Sequence, residues 1–150
     1  MTVPTTTDHQ TIMDEIGCSA DEAELVLEAR FAATRAYAPY SNFHVGCALR
    51  DPQGNVTYGC NIENGSLSLL TCSERCALFS HHAQGREPAI TLAVTCLDGD
   101  PKDAGSNMPC GACRQVMQEL LAPGAVIVVD HVGRFTIEEL LPLPFYLATS

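Results

Sequence analysis

Two short cysteine segments constrain this chain more than any other feature: Thr71-Cys72-Ser73-Glu74-Arg75 and Pro109-Cys110-Gly111-Ala112-Cys113-Arg114-Gln115. Cys110 and Cys113 are three apart, so on a first helical turn they share a face. Pro109 suits a helix start, where its missing N–H costs nothing. Cys72 supplies a third thiolate from the start of another helix, and helix N-termini lower thiol pKa values. Three protein ligands leave the fourth tetrahedral position of a zinc ion free for water, which separates a catalytic site from a closed structural one. Glu74, two residues past Cys72, reaches that water without binding the metal. A fold that serves these residues must bring two helix starts to one point.

Composition narrows the choice further. At 150 residues the chain is long enough to bury a core without staples. Its formal charge of −10, with Lys102 as the one lysine, leaves no basic face for a polyanion, so no nucleic-acid partner is expected. Eight cysteines would suggest disulfides in a small secreted chain. Residues 1–17, however, are polar and Thr-rich, without a basic n-region or an apolar run. No stretch approaches a membrane span, so no membrane partner is expected. A cytoplasmic, reducing setting follows as the expectation, and there C-x-x-C binds metal more often than it cross-links. Cys18, Cys47, Cys60, Cys76 and Cys96 read as small core residues.

Along the chain, residues 1–17 read as a flexible extension, with at most a short helical stub at its end, and 18–150 as one domain. Ser19-Ala20-Asp21-Glu22 is a capping box, opening a helix with Ala23, Val26, Leu27, Phe31 and Thr34 at helical spacing. It is expected to stop at Ala38, before Pro39. Residues 43–50 alternate as a strand, and Asp51-Pro52-Gln53-Gly54 turns it into a second strand over 55–62. A metal-bearing helix over 72–84, an apolar strand over 89–97, a polar loop over 98–108, a second metal-bearing helix over 110–121 and a strand over 125–130 follow. A short segment around Phe135 and a capping box at Thr136-Ile137-Glu138-Glu139 close the chain. Fully apolar later strands alternating with helices imply parallel pairing with helices on both faces. The expected fold is a three-layer α/β/α sandwich with a mixed sheet.

Cys72-Ser73-Glu74 together with Pro109-Cys110-Gly111-Ala112-Cys113 resembles the zinc deaminase signature. Ala38-Pro39-Tyr40-Ser41-Asn42-Phe43, Val45-Gly46, Asn61-Ile62-Glu63-Asn64 and Cys113-Arg114-Gln115 extend that resemblance to cytidine deaminases of the small, all-cysteine type, in the family's own order and over roughly residues 20–145. The resemblance implies the same sandwich fold, one zinc per subunit, a small-molecule nucleoside substrate, and a homotetramer whose sites are shared between subunits.

Residue roles follow. Water attacking an sp² C–NH₂ carbon requires three proton movements, and Glu74 is the expected shuttle. Three thiolates carry more negative charge than Zn²⁺ carries positive, so Arg75 is the expected balancing cation. By resemblance it hydrogen-bonds the thiolates. Asn61 and Glu63 leave one face of a strand end, an amide and a carboxylate suited to a vicinal diol, and the resemblance assigns them the ribose. By resemblance Phe43 lies against the pyrimidine, and Phe145 stacks on the base in a neighbouring subunit's site. His9, His81, His82 and His131 read as surface residues, and His44 has no assigned role. Ser73 stands where the family usually has Ala, a change of little expected consequence. Leu67 stands where it usually has a Tyr that reaches the sugar in an adjacent site.

The resulting expectation is hydrolytic deamination of cytidine and 2′-deoxycytidine, with release of ammonia in pyrimidine salvage. The rival substrate is a modified cytosine nucleoside such as blasticidin S, which Leu67 and the Thr-Ile-Glu-Glu-Leu-Leu-Pro-Leu ending favour and Asn61 and Glu63 do not. A non-catalytic zinc-binding interaction module has no use for Glu74. A polynucleotide deaminase does not suit the acidic charge.

Overall fold

The computed structural model describes residues 6–148. A five-stranded sheet in the order β2-β1-β3-β4-β5 divides it into layers. β1 (Val45–Arg50) and β2 (Val56–Cys60) form the expected hairpin. The Asp51 carboxylate closes its turn by accepting from the backbone of Gln53 and Asn55, at 3.0 and 2.8 Å, and Gly54 takes φ +84. β3 (Thr91–Cys96) pairs antiparallel with β1 and parallel with β4 (Val126–Val129), and β5 (Gly133–Phe135) returns antiparallel. The sheet is mixed, as expected, with β3–β4 as its parallel pair.

Both faces are covered. On one, Cys47, Leu49, Leu92, Val94, Ile127 and Val129 pack against α3 (Ser73–Ala83) and α5 (Gly111–Leu120). On the other, Ala48, Ala93 and Val128 pack against α1 (Thr6–Ile16) and α2 (Ala20–Ala33). Alternation along each strand sends successive side chains into two cores, which is why the strands read as apolar throughout. Two glycines set the layer spacing. A Cβ at Gly46 would lie 2.0 Å from the Ala29 carbonyl oxygen, and one at Gly59 would lie 2.2 Å from that of Ser73. Gly59 therefore seats the start of α3 directly on β2.

The structure corrects several expectations. Residues 1–5 of the expected flexible extension lie outside the described residues, but from Thr6 the chain is helical and docked. Ile12 and Ile16, one turn apart, are buried against α2, and burial of that face offsets a polar composition. α2 ends at Ala33 instead of Ala38. The Thr34 hydroxyl donates to the Phe31 carbonyl at 2.7 Å, and Tyr37 leaves to exchange backbone hydrogen bonds with Asn61 and Glu63. Its buried stripe runs through Ala23, Val26, Ala29, Ala32 and Ala33, leaving Phe31 half-buried and edge-on to Tyr58. The expected loop over 98–108 contains a one-turn helix, α4 (Ala104–Asn107), capped by the Asp103 side chain. Residues 67–69 form a 3₁₀ turn. His81 is buried, its ring held between the Thr57 hydroxyl at 2.8 Å and the Glu87 carbonyl at 2.7 Å. His9 and His131 are half-buried, paired with Glu24 and Glu15. α6 (Ile137–Leu140) opens on the expected capping box.

Candidate metal centre and active site

Cys72 and Cys110 are the N-caps of α3 and α5, and Cys113 lies in the first turn of α5. The two helices pack side by side on one face of the sheet, and that placement converges the cysteines. Cys72 Sγ is 3.9 Å from Cys110 Sγ, Cys110 Sγ is 3.4 Å from Cys113 Sγ, and all three lie within 4.8 Å of one another. Sulfurs bound at about 2.3 Å to a tetrahedral zinc stand about 3.8 Å apart, so the donor set and its spacing fit that ion. Among the described residues this is the one cluster of three or more such side chains that could hold a metal.

Electrostatics favour the thiolate at Cys72. A hydrogen bond from Cys113, with the Arg75 guanidinium beside it, brings the Cys72 thiol down to about 5 despite its burial. Cys113 shifts the other way, its pKa raised by that hydrogen bond to Cys72 and by burial. Metal binding displaces thiol protons. Arg75 Nη2 donates to Cys72 Sγ at 3.5 Å and to the Leu70 carbonyl at 3.4 Å, while its buried Nε has no partner among the described residues.

Cys72 and Cys110 open onto a cavity of about 450 Å³ that is also lined by Glu74, Ser73, Phe43, Asn61 and Glu63, while Cys113 is buried behind them. Glu74 is almost wholly buried, and burial raises its carboxyl pKa, with the Cys72 charge adding to the effect. The Ser73 hydroxyl donates to Glu74 Oε2 at 2.9 Å, a bond that an alanine at this position could not make. Asn61 Oδ1 accepts from the Val45 amide at 2.9 Å and its Nδ2 donates to the Phe43 carbonyl at 2.8 Å. Glu63 accepts from the Ser41 hydroxyl and from the Tyr40 and Ser41 amides. These bonds, the Ser41 hydroxyl foremost, hold the Glu63 carboxyl below its ordinary range. Both side chains thus line the cavity and also hold the segment before β1 in place.

Phe145 is not in this cavity. It is 67% exposed on a C-terminal segment where Leu143, Tyr146 and Leu147 are also exposed. Leu67, 77% exposed, does not line the cavity either. Sequence reasoning missed the wall contributed by Ser106, Asn107 and Met108. Asn107 Nδ2 donates to the Asp100 and Asp103 carbonyls at 2.9 and 3.1 Å, and its Oδ1 occupies the space a Cβ at Gly99 would need. An aperiodic polar stretch gave no signal for this arrangement.

Comparison with known proteins agrees with this geometry. Residues 19–129 match the profile described as the cytidine and deoxycytidylate deaminase zinc-binding region. A cytidine deaminase of Halalkalibacterium halodurans is 40% identical over 129 residues, covering 83% of this chain and 94% of that protein. A blasticidin-S deaminase of Bacillus cereus is 30% identical over 139 residues, covering 89% of this chain and 98% of that one. The crystal structure of a cytidine deaminase from Burkholderia pseudomallei superposes with TM-score 0.71 at 41% identity, covering 81% of this chain and 97% of that one. One from Mycobacterium tuberculosis superposes with TM-score 0.70 at 36% identity, covering 83% and 96%.

Proposed function

The chain belongs to the cytidine and deoxycytidylate deaminase family, and from that premise we propose that it hydrolyses cytidine and 2′-deoxycytidine to uridine and 2′-deoxyuridine with release of ammonia. The observation that carries this reading is a buried Glu74 sharing one cavity with Cys72 and Cys110, whose sulfurs converge with that of the buried Cys113. When bound there, zinc supplies Lewis acidity that lowers the pKa of a water molecule. Glu74 takes one proton from the water that attacks C4 and passes it to ring N3, then carries the remaining proton of the new C4 hydroxyl to the amine, so that the C4–N bond breaks, ammonia leaves and the C4 carbonyl forms. Each transfer suits a carboxyl whose burial has raised its pKa towards the working pH. Arg75 offsets the thiolate charge. Phe43 packs on the pyrimidine, and Asn61 and Glu63 hold the sugar hydroxyls from positions their own hydrogen bonds keep fixed.

Among the described residues no lysine or arginine lines the cavity. Thiolates and two carboxylates make it anionic, which favours a neutral nucleoside over a nucleotide or polynucleotide. The retained Asn61 and Glu63 favour cytidine over blasticidin S. We place the reaction in the cytoplasm, a setting that suits eight free cysteines, and no described helix is long and apolar enough to cross a membrane. A homotetramer, with Phe145 completing a neighbour's site, accounts for the exposed apolar C-terminal segment.

Loss of the cytosine absorbance band tests the substrate assignment, with cytidine, deoxycytidylate and blasticidin S measured in parallel. Cytidine is expected to turn over fastest, and deoxycytidylate at least tenfold more slowly in kcat/KM, an effect on the order of 1.4 kcal/mol. Turnover of blasticidin S alone would overturn the substrate, and zinc-loaded protein inert on all three would make this a non-catalytic zinc module.

A further inference from the structure

We propose that Arg114 is a positioning residue that ties the metal-bearing turn to the end of α6 and so sets how firmly the cysteines retain zinc. The proposal rests on the metal centre and not on the identity of the substrate. Arg114 follows Cys113 directly, but its side chain folds back along α5. Its Nε donates to the Pro109 carbonyl at 2.8 Å, and its Nη1 donates to the Leu140 carbonyl at 2.8 Å.

Each acceptor needs this partner. Pro109 is buried and precedes the N-cap, so its carbonyl stands outside the α5 ladder, which begins with Cys110 accepting from the Arg114 amide. A carbonyl left unpaired at a buried residue carries a desolvation cost that the chain relieves by moving towards water. Here that movement displaces Cys110, the very next residue. Leu140 is the last residue of α6, where carbonyls lack helical partners and a cation is favoured. Its side chain is buried in the same core as Cys113 and Met117, so this end of the bridge is fixed. A planar guanidinium spans the fixed end and the metal turn at once. A lysine ammonium offers no such fork.

Groups that orient metal ligands typically change metal affinity by roughly 10–100-fold when removed. Zinc transfer from the purified holoenzyme to a chromogenic chelator measures this without recourse to activity. Arg114→Ala and the milder Arg114→Lys are each expected to release zinc at least about tenfold faster than wild type. Arg134→Ala, which breaks an ion pair with Glu22 on the opposite face of the sheet, serves as the control for general destabilisation and is expected to release zinc at the wild-type rate. Arg114→Lys retaining zinc as wild type does would overturn the inference. So would faster release from Arg134→Ala at a matched melting temperature. Wild-type protein that binds no zinc would defeat the metal centre itself, and this inference with it.

Discussion

Two groups of buried charge lie on opposite faces of the same sheet and are built in opposite ways. On the α2 face, Arg30 gives Nε and Nη2 to the two oxygens of Asp130 at 2.7 and 2.8 Å, and the Thr95 hydroxyl adds a third bond at 2.6 Å. Asp130 is buried and fully partnered. On the α3/α5 face, Glu74 is buried beside thiols, with Ser73 donating to one of its oxygens. The two buried side-chain atoms without partners among the described residues, Arg75 Nε and Asn107 Oδ1, belong to this side as well. A closed network specifies and stabilises a fold. An open one keeps capacity for a ligand and a proton at the expense of stability.

The contrast is sharpest if each side is broken separately. Cys113→Ala removes a metal ligand, so bound zinc and deamination should both fall to background, as read by metal analysis and absorbance. A variant with full zinc and activity would remove Cys113 from the centre. Asp130→Ala should do the reverse. It leaves Arg30 uncompensated and should cost about 3 kcal/mol in denaturant unfolding, the lower end for a broken buried pair, because the Arg30 side chain is 31% exposed. Zinc content per folded chain should not change, and a loss there would mean that the two faces are coupled. The smallest effect concerns pH. Burial raises the Glu22 carboxyl, but pairing with Arg134 and the Ser19 amide outweigh it and the net shift is downward. A depressed folded pKa contributes stability above the unfolded value of 4.5, and that contribution is lost as pH falls through the folded value. With Arg134 on the surface the contribution should be under about 1 kcal/mol. Glu22→Gln should therefore flatten the decline of melting temperature below about pH 4.5, and an unchanged acid limb would show that the pair contributes nothing.

The sequence disclosed the open side better than the closed one. Cys110 and Cys113 carry a helical spacing behind a proline, and Cys72 and Glu74 carry their own, so local chemistry exposed the centre. The long apolar strands and the two capping boxes exposed the layers. Arg30–Asp130 joins residues 100 positions apart, and no local pattern announces such a pair. The same holds for the reach of Arg114 to Leu140 and for the Asn107 wall, whose placement depends on tertiary packing of an aperiodic loop. Ile12 and Ile16 did carry a helical spacing, but the surrounding polarity obscured it. His81 looked solvent-facing beside His82, and only the position of Thr57 on β2 shows why one of the two turns inward.

The most direct test of the central claim, that Glu74 moves the protons beside a zinc held by Cys72, Cys110 and Cys113, is ammonia release from cytidine by Glu74→Gln protein whose zinc content is measured in the same sample. We expect zinc at the wild-type level and kcat reduced by roughly 10⁴-fold, the upper range for one general acid–base group. A variant that keeps its zinc and works within about tenfold of wild type would contradict that claim, because a lost proton shuttle should cost at least about 10²-fold.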